Sequence, residues 1–278
     1  MGIFSTPGFL TDVQDSGKPL GELAALGYKW ISYQVQNDTQ TKDRDLSAAR
    51  SAGLSPGVWG VSYHAEHLAR DAQVLRAIAT TTGADHIIFN VEAAFNPAPY
   101  IDVFRSYDKP KALITLNGIL PDLDTAALVD AGWVIMPEAY LCDAPTLTPD
   151  VVKWYCEREG IPPTHYNLCL GMYKGANGRI TGAEYAYRLG EAGVGNQFSA
   201  YMLEHGTLQD YIDLSKHITT PKDVLEKLKL TNTGINAVLD NLEKVFDANG
   251  IPEPDGVDAL RAHLLAVGTK INEIIDEL

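Results

Sequence analysis

The chain has 278 residues, 45% hydrophobic and 21% charged, with a formal net charge of −14. That composition belongs to a folded globular protein with room for one large core and an appendage. The negative charge argues against a nucleic-acid binder, which sets clustered Lys and Arg against phosphate, and no run of 18 apolar residues is present to cross a membrane. A neutral or cationic partner suits such a surface, and an uncharged glycan is one.

The opening MGIFSTPGF lacks the basic segment and long apolar run of a Sec signal. It matches the Met-Gly-x-x-x-Thr acylation pattern, but it is read as a first strand. Eight short apolar, β-branched or aromatic runs then follow at intervals: 2–9, 28–35, 55–63, 86–92, 111–117, 132–140, 166–173 and 197–204. Six amphipathic helices are read between them, at 19–27, 43–53, 67–83, 124–132, 148–160 and 181–193. Each ends on a glycine (Gly27, Gly53, Gly83, Gly132, Gly160, Gly193), the residue that takes the left-handed conformation of a helix end without strain.

Strands alternating with helices imply a parallel sheet. Eight such units in some 215 residues predict a (β/α)8 TIM-type barrel over 1–217. The alternative, an open doubly wound sheet, would carry a glycine-rich phosphate loop after its first strand, and STPGFLTDVQDSG has no GxGxxG.

Residues 218–278 differ. Thr220 and Pro221 open a helix with Leu228, Ile235, Leu239, Leu242 and Phe246 at helical spacing; NGIPEPDG (249–256) breaks it. Leu260, Leu264, Val267, Ile271, Ile274 and Leu278 then form a regular heptad seam. Each segment is only about three heptads long and would not hold alone. It packs either as a hairpin on the barrel or as a short coiled-coil-like oligomerising stalk, a trimer given the β-branched seam residues.

Three cysteines (Cys142, Cys156, Cys169) with no CxxC pair exclude a disulfide framework and a cysteine zinc site. His64 and His67 are three apart but have no evident third ligand, so neither metal nor cofactor is expected.

In a barrel of this kind chemistry gathers where the strands end. Residues 88, 90 and 92 of HIIFNVE share one strand face, and Ile87, Phe89 and Val91 share the other. Asn90 and Glu92 are therefore expected to point together into the mouth. By the same logic Glu138 and Tyr140 end the sixth strand, Asn117 the fifth, Tyr173 the seventh and Glu204 the eighth. Three carboxylates, Glu92, Glu138 and Glu204, would ring one opening, as glycoside hydrolysis requires of an acid and a nucleophile or base. Trp59, Tyr63, Phe95, Tyr140 and Tyr173 could stack on sugar faces. Each polar strand end also has a plain structural explanation, the capping of loop backbone as the chain leaves the core. A carboxylate on so apolar a run as 86–92 asks for a further reason.

The segments WISYQVQNDTQ, ARSAGLSPGVWGVSY, GADHIIFNVEAAF and VIMPEAY resemble the glycoside-hydrolase-like barrels of actinobacteria and their phages, over about residues 1–215. The helical tail resembles that of siphophage minor tail proteins. The resemblance implies a virion tail-tip protein without a signal peptide, made in the host cytoplasm, that binds a host cell-wall glycan and meets other phage tail proteins. Its hydrolytic relatives carry Asp-x-Glu at the end of strand four. Carried over, Glu92 matches the acid, with Glu138 or Glu204 as nucleophile or base, and Asn90 stands where the partner Asp would be. Asn90, Asn117, Tyr63, Tyr140, Tyr173 and Trp59 would bind the sugar. Asn90 can hydrogen-bond a hydroxyl or acetamido group, but it cannot offset developing positive charge or raise its neighbour's pKa by repulsion. The alternatives are an inactive structural or receptor-binding tail module and a free glycosidase or lysin.

Overall fold

The alternation of apolar runs and helices closes into a ring in a computed structural model, which describes residues 2–37, 40–92, 96–116, 120–218, 229–238 and 257–277. Eight strands, β1 (Gly8–Thr11), β2 (Trp30–Asn37), β3 (Ser55–Ser62), β4 (Ile87–Val91), β5 (Lys111–Thr115), β6 (Trp133–Ala139), β7 (Leu168–Gly171) and β8 (Phe198–Tyr201), pair in parallel in chain order. β1 pairs with both β8 and β2, which closes the barrel. The outer layer is α1 (Leu20–Ala25), α2 (Ser47–Ser51), α3 (Leu68–Thr82), α4 (Ala98–Phe104), α5 (Thr125–Asp130), α6 (Pro149–Arg158), α7 (Gly182–Ala192) and α8 (Leu208–Ser215). All six glycines read as helix stops have positive φ.

Three differences from the sequence expectation lie outside the site. The first strand begins at Gly8, because Ile3–Ser5 forms a 3-10 turn that drops Phe4 under the barrel. There Phe4 meets Trp30 and His86 edge-on, at 5.3 and 5.2 Å. The second and third differences are α4 and α8, which were not among the six expected helices. α4 is short and follows Pro97, and α8 opens on a Thr207–Asp210 capping box.

Alternation along the strands separates two cores. Ile87, Phe89 and Val91 face the helices with Phe9, Ile31, Leu113 and Leu170, and pack on Leu75, Tyr100, Phe104 and Leu189. Leu10, Trp30, Trp59, Ile88, Ile114, Met136 and Cys169 fill the barrel itself. At its floor a Cβ on Gly8 would stand 2.0 Å from the Trp30 ring, and one on Gly57 2.2 Å from His86, so both positions need glycine. His86 accepts or donates at 2.6 Å to Ser32, and burial pushes its pKa down to about 3, so the ring is neutral.

The rim on the β7–β8 side is tied by Asp210. Its carboxylate accepts the Gly182 N–H at 3.0 Å and the Thr207 N–H and hydroxyl at 2.7 and 2.6 Å, and it pairs with Arg179. Gly182 comes so close that a Cβ there would lie 1.9 Å from the Asp210 carbonyl oxygen. Backbone cannot rotate away as a side chain can. Gly182→Ala is therefore expected to lower stability by about 1–3 kcal/mol, read as a lower urea midpoint at unchanged slope.

The chain divides into two compact units, Met1–Ile218 and Thr219–Leu278. The second holds α9 (229–238) and α10 (Val257–Glu277). Asn232 donates to Asn272 at 2.7 Å between them, and Gly268 lets Asn232 and Ile235 approach. Ile271 is buried, whereas Leu230, Val238, Leu265 and Val267 are exposed. Of the expected seams, Thr220, Pro221, Leu228, Leu239, Leu242, Phe246 and Leu278, with the side chains of Leu260 and Ile274, lie outside the described residues. No helix among the described residues is long and apolar enough to cross a membrane.

Candidate functional site

The inward parity of β4 carries Asn90 and Glu92 to the C-terminal mouth of the barrel. Asn90 Nδ2 donates to Glu92 Oε1 at 3.1 Å. Asn90 is only 2% exposed, and its Oδ1 has no hydrogen-bond partner among the described residues. From β6, Glu138 reaches the same space and is 7% exposed. Burial pushes its carboxyl up to about 8, the charges of Glu92 and Asp143 push the same way, and a hydrogen bond with Tyr140 opposes them. Burial also raises Glu92, and the Asn90 amide partly offsets it. Glu138 is the more deeply buried of the two, so desolvation bears hardest on its charged form.

Asp143, just past β6, was not foreseen. Tyr173 donates its hydroxyl to it, and the rim hairpin Lys174–Gly175/Gly178–Arg179 lies against it. A Cβ on Gly175 would meet its Oδ1 at 2.1 Å. Tyr201 at the end of β8 was also missed. Burial raises its phenol, and Asp12, Cys169, Glu138 and Glu92 all add to the shift.

The aromatic residues expected to stack on sugars lie at different depths. Trp59 is buried inside the barrel, its indole N–H on the Thr11 carbonyl at 3.1 Å and its ring edge-on to Tyr201. Tyr140 is buried as well, stacked on Tyr201 at 5.5 Å and edge-on to Tyr173 at 5.8 Å. Both are buried, and the Tyr201 ring packs against each of them. Tyr173 is half-buried, and Tyr63, just after β3, stands exposed. Asn117 and Phe95 lie outside the described residues.

Glu204 does not project from a strand. β8 ends at Tyr201, and Met202 turns the chain through a left-handed conformation (φ 60°), unusual for a residue with a side chain. Glu204 then accepts the Thr11 hydroxyl at 2.8 Å and the Asp12 N–H at 3.2 Å. Its charge acts on Asp12 and Arg44. Burial raises Asp12, Glu204 adds to it, and Lys42, His205 and Arg44 lower it. The structure therefore brings together Asn90, Glu92, Glu138, Tyr140 and Tyr173, adds Asp143 and Tyr201, and sets Glu204 with Asp12 on the β1 side.

No group of three His, Cys, Asp or Glu among the described residues could hold a metal ion, and His64 and His67 pack edge-on at 5.4 Å. Cys142, Cys156 and Cys169 are buried free thiols, raised by burial to about 11, 12 and 12. What the mouth can do chemically is accept hydrogen bonds, attract positive charge and present in Glu138 a carboxyl group that burial biases toward its protonated form.

No protein-family model and no curated protein sequence matches the chain. Solved structures do match its fold. A Streptomyces coelicolor protein assigned as chitinase A aligns over 78% of this chain and 98% of its own, at 12% identity and TM-score 0.57. A chitinase of glycoside hydrolase family 18 from Flavobacterium johnsoniae covers 76% and 92%, at 9% identity and TM-score 0.57. A fungal endo-β-N-acetylglucosaminidase of the same family covers 77% and 98%, at 11% identity and TM-score 0.54. At these identities the likeness is one of fold: the chain shares the closed (β/α)8 barrel architecture of these structures.

Proposed function

We propose that the chain is a minor tail protein of an actinobacterial phage, carried at the virion's tail tip, whose barrel binds a cell-wall glycan of the host. The observation that carries glycan binding is the set of convergent polar groups at the barrel mouth: Asn90 with a buried acceptor unpartnered among the described residues, Glu92 and Glu138, with the stacked tyrosines Tyr140 and Tyr201 at neighbouring strand ends. Strand ends of a (β/α)8 barrel are where ligands bind, and the solved structures of like fold are chitinases and a glucosaminidase. The tail assignment rests on the sequence resemblance and on the helices of the second unit. Their exposed Leu230, Val238, Leu265 and Val267 suit burial against further copies, as a trimer, and against other tail proteins.

A second reading, hydrolysis of that glycan, is favoured by Glu138, whose carboxyl is pushed up to about 8 by burial at the same mouth as Glu92. In that case Glu138 is the group able to donate at neutral pH and Glu92 the one able to accept.

The test is retention of the full chain on purified host cell wall, with release of reducing sugar measured on the same sample. Retention without release, weakened in Glu92→Gln, is the expected result for a binding module. Release abolished by Glu92→Gln would favour the hydrolase. No retention and no release would sink both. Sedimentation at the mass of three chains is expected for the trimer, and a monomer at every concentration would count against it.

A further inference from the structure

Strand parity turns Val61 into the barrel and Ser62, the last residue of β3, toward α3. There the Ser62 hydroxyl donates to Oδ2 of Asp71, in the first turn of the helix, at 2.6 Å. Arg70 Nε and Nη2 donate to the other oxygen of that carboxylate at 2.9 and 2.7 Å. Ser62 and Asp71 are both fully buried. Around them the interface is apolar: Ala72, Leu75 and Ala79 of α3 belong to the cluster that holds Phe89 and Val91 of β4.

Stability alone does not call for a carboxylate in this place. Desolvating it is costly, and an apolar pair of similar volume is often neutral or stabilising there. What the bond does hold is the end of a strand. Ser62 stands opposite Val91 in the last register of β3 and β4, and its carbonyl accepts the Glu92 N–H at 3.4 Å. That rung is long, it is the outermost between the two strands among the described residues, and strand ends open first. Tyr63, exposed at the rim, follows Ser62 directly.

Resting on the glycan reading, we propose that Asp71 is a positioning residue of the barrel mouth: through Ser62 it fixes the backbone from which Glu92 and Tyr63 meet the sugar. Neither Asp71 nor Ser62 touches the ligand. A binding group must be held to within a fraction of an ångström by the residues behind it. Released from Ser62, Glu92 would keep its carboxylate and lose its place.

The test compares the double variant Ser62→Ala/Asp71→Leu, which removes the polar pair together, with Asp71→Asn, whose amide oxygen can still accept from Ser62. Three measurements are made on the full chain: urea unfolding, hydrogen exchange at the Glu92 amide by NMR, and affinity for purified actinobacterial cell wall. The double variant is expected to unfold cooperatively at about the wild-type midpoint. Its Glu92 amide is expected to exchange at least about tenfold faster, and its affinity for the wall to fall about tenfold. Asp71→Asn is expected to keep both near the wild type. If the double variant does not unfold cooperatively, Ser62→Ala alone, which leaves the Arg70 pair, takes its place. Unchanged exchange at Glu92, or unchanged affinity, in the folded variant overturns the proposal and leaves Asp71 a packing residue. Binding weakened as much by Asp71→Asn as by the double variant also overturns it, since the charge and not the Ser62 bond is then what counts. A wild type that the wall does not retain sinks the glycan reading and the role in binding with it, and exchange at Glu92 still decides whether Asp71 holds the strand end.

Discussion

Glu138→Gln is expected to raise the free energy of unfolding by about 2–4 kcal/mol at pH 9 and to leave it unchanged at pH 4. The carboxyl is 7% exposed, and burial with the charges of Glu92 and Asp143 pushes it up to about 8 from 4.5. A folded-state pKa above the unfolded one means that the folded protein binds more protons between those values. Stability of the wild type therefore declines as pH rises from about 4.5 to about 8. Above that window the whole cost of holding a buried carboxylate is present; below it both states are protonated and there is none. Gln has the shape and never carries the charge, so the variant escapes the decline. Urea unfolding of both proteins from pH 4 to 9 measures the difference directly. A gap that did not change with pH would mean that Glu138 ionises like a surface carboxylate. A side chain that costs its own fold this much is the kind that function retains.

The second large effect is expected at Asn90. Asn90→Asp replaces the donor facing Glu92 by a carboxyl at a position 2% exposed to solvent. Two carboxyl groups at that distance share a proton, which raises Glu92 further and gives the site an acid. When ionised, Asp at 90 can also face positive charge developing on a sugar, which Asn cannot. If the barrel hydrolyses its glycan, release of reducing sugar is expected to rise on the order of a hundredfold, and Glu92→Gln in the same background should abolish the gain. The variant is also expected to lose stability at neutral pH and to recover it as pH falls through the raised pKa, the sign found for Glu138. Unchanged release would leave the mouth a binding site whose chemistry does not hinge on residue 90.

Much of the scaffold could be read without coordinates. The eight runs became the eight barrel strands, and the helix-stopping glycines took positive φ, because both signals are local. The parity of HIIFNVE put Ile87, Phe89 and Val91 on the helices and Ile88 in the barrel for the same reason. What failed was whatever depends on where a strand stops. The first run was set at 2–9, so Asp12 went unnoticed, although strand pairing runs to Thr11. The eighth was carried on to 204, although Met202 breaks it and turns Glu204 onto Thr11 and Asp12. Asp143 and Tyr201 carried no motif, and only packing joins them to the site.

The sequence by itself determined the barrel, its order of elements and the direction in which Asn90 and Glu92 project, because periods of two and 3.6 residues and glycine stops act over a few neighbours. The tertiary structure alone decided the electrostatics. Closure of the ring buries Glu138 beside Glu92 and Asp143, stacks Tyr140 on Tyr201 and leaves the Asn90 acceptor without a partner among the described residues. Burial and charge coupling depend on which distant strands end side by side, and no local pattern in the chain encodes that distance.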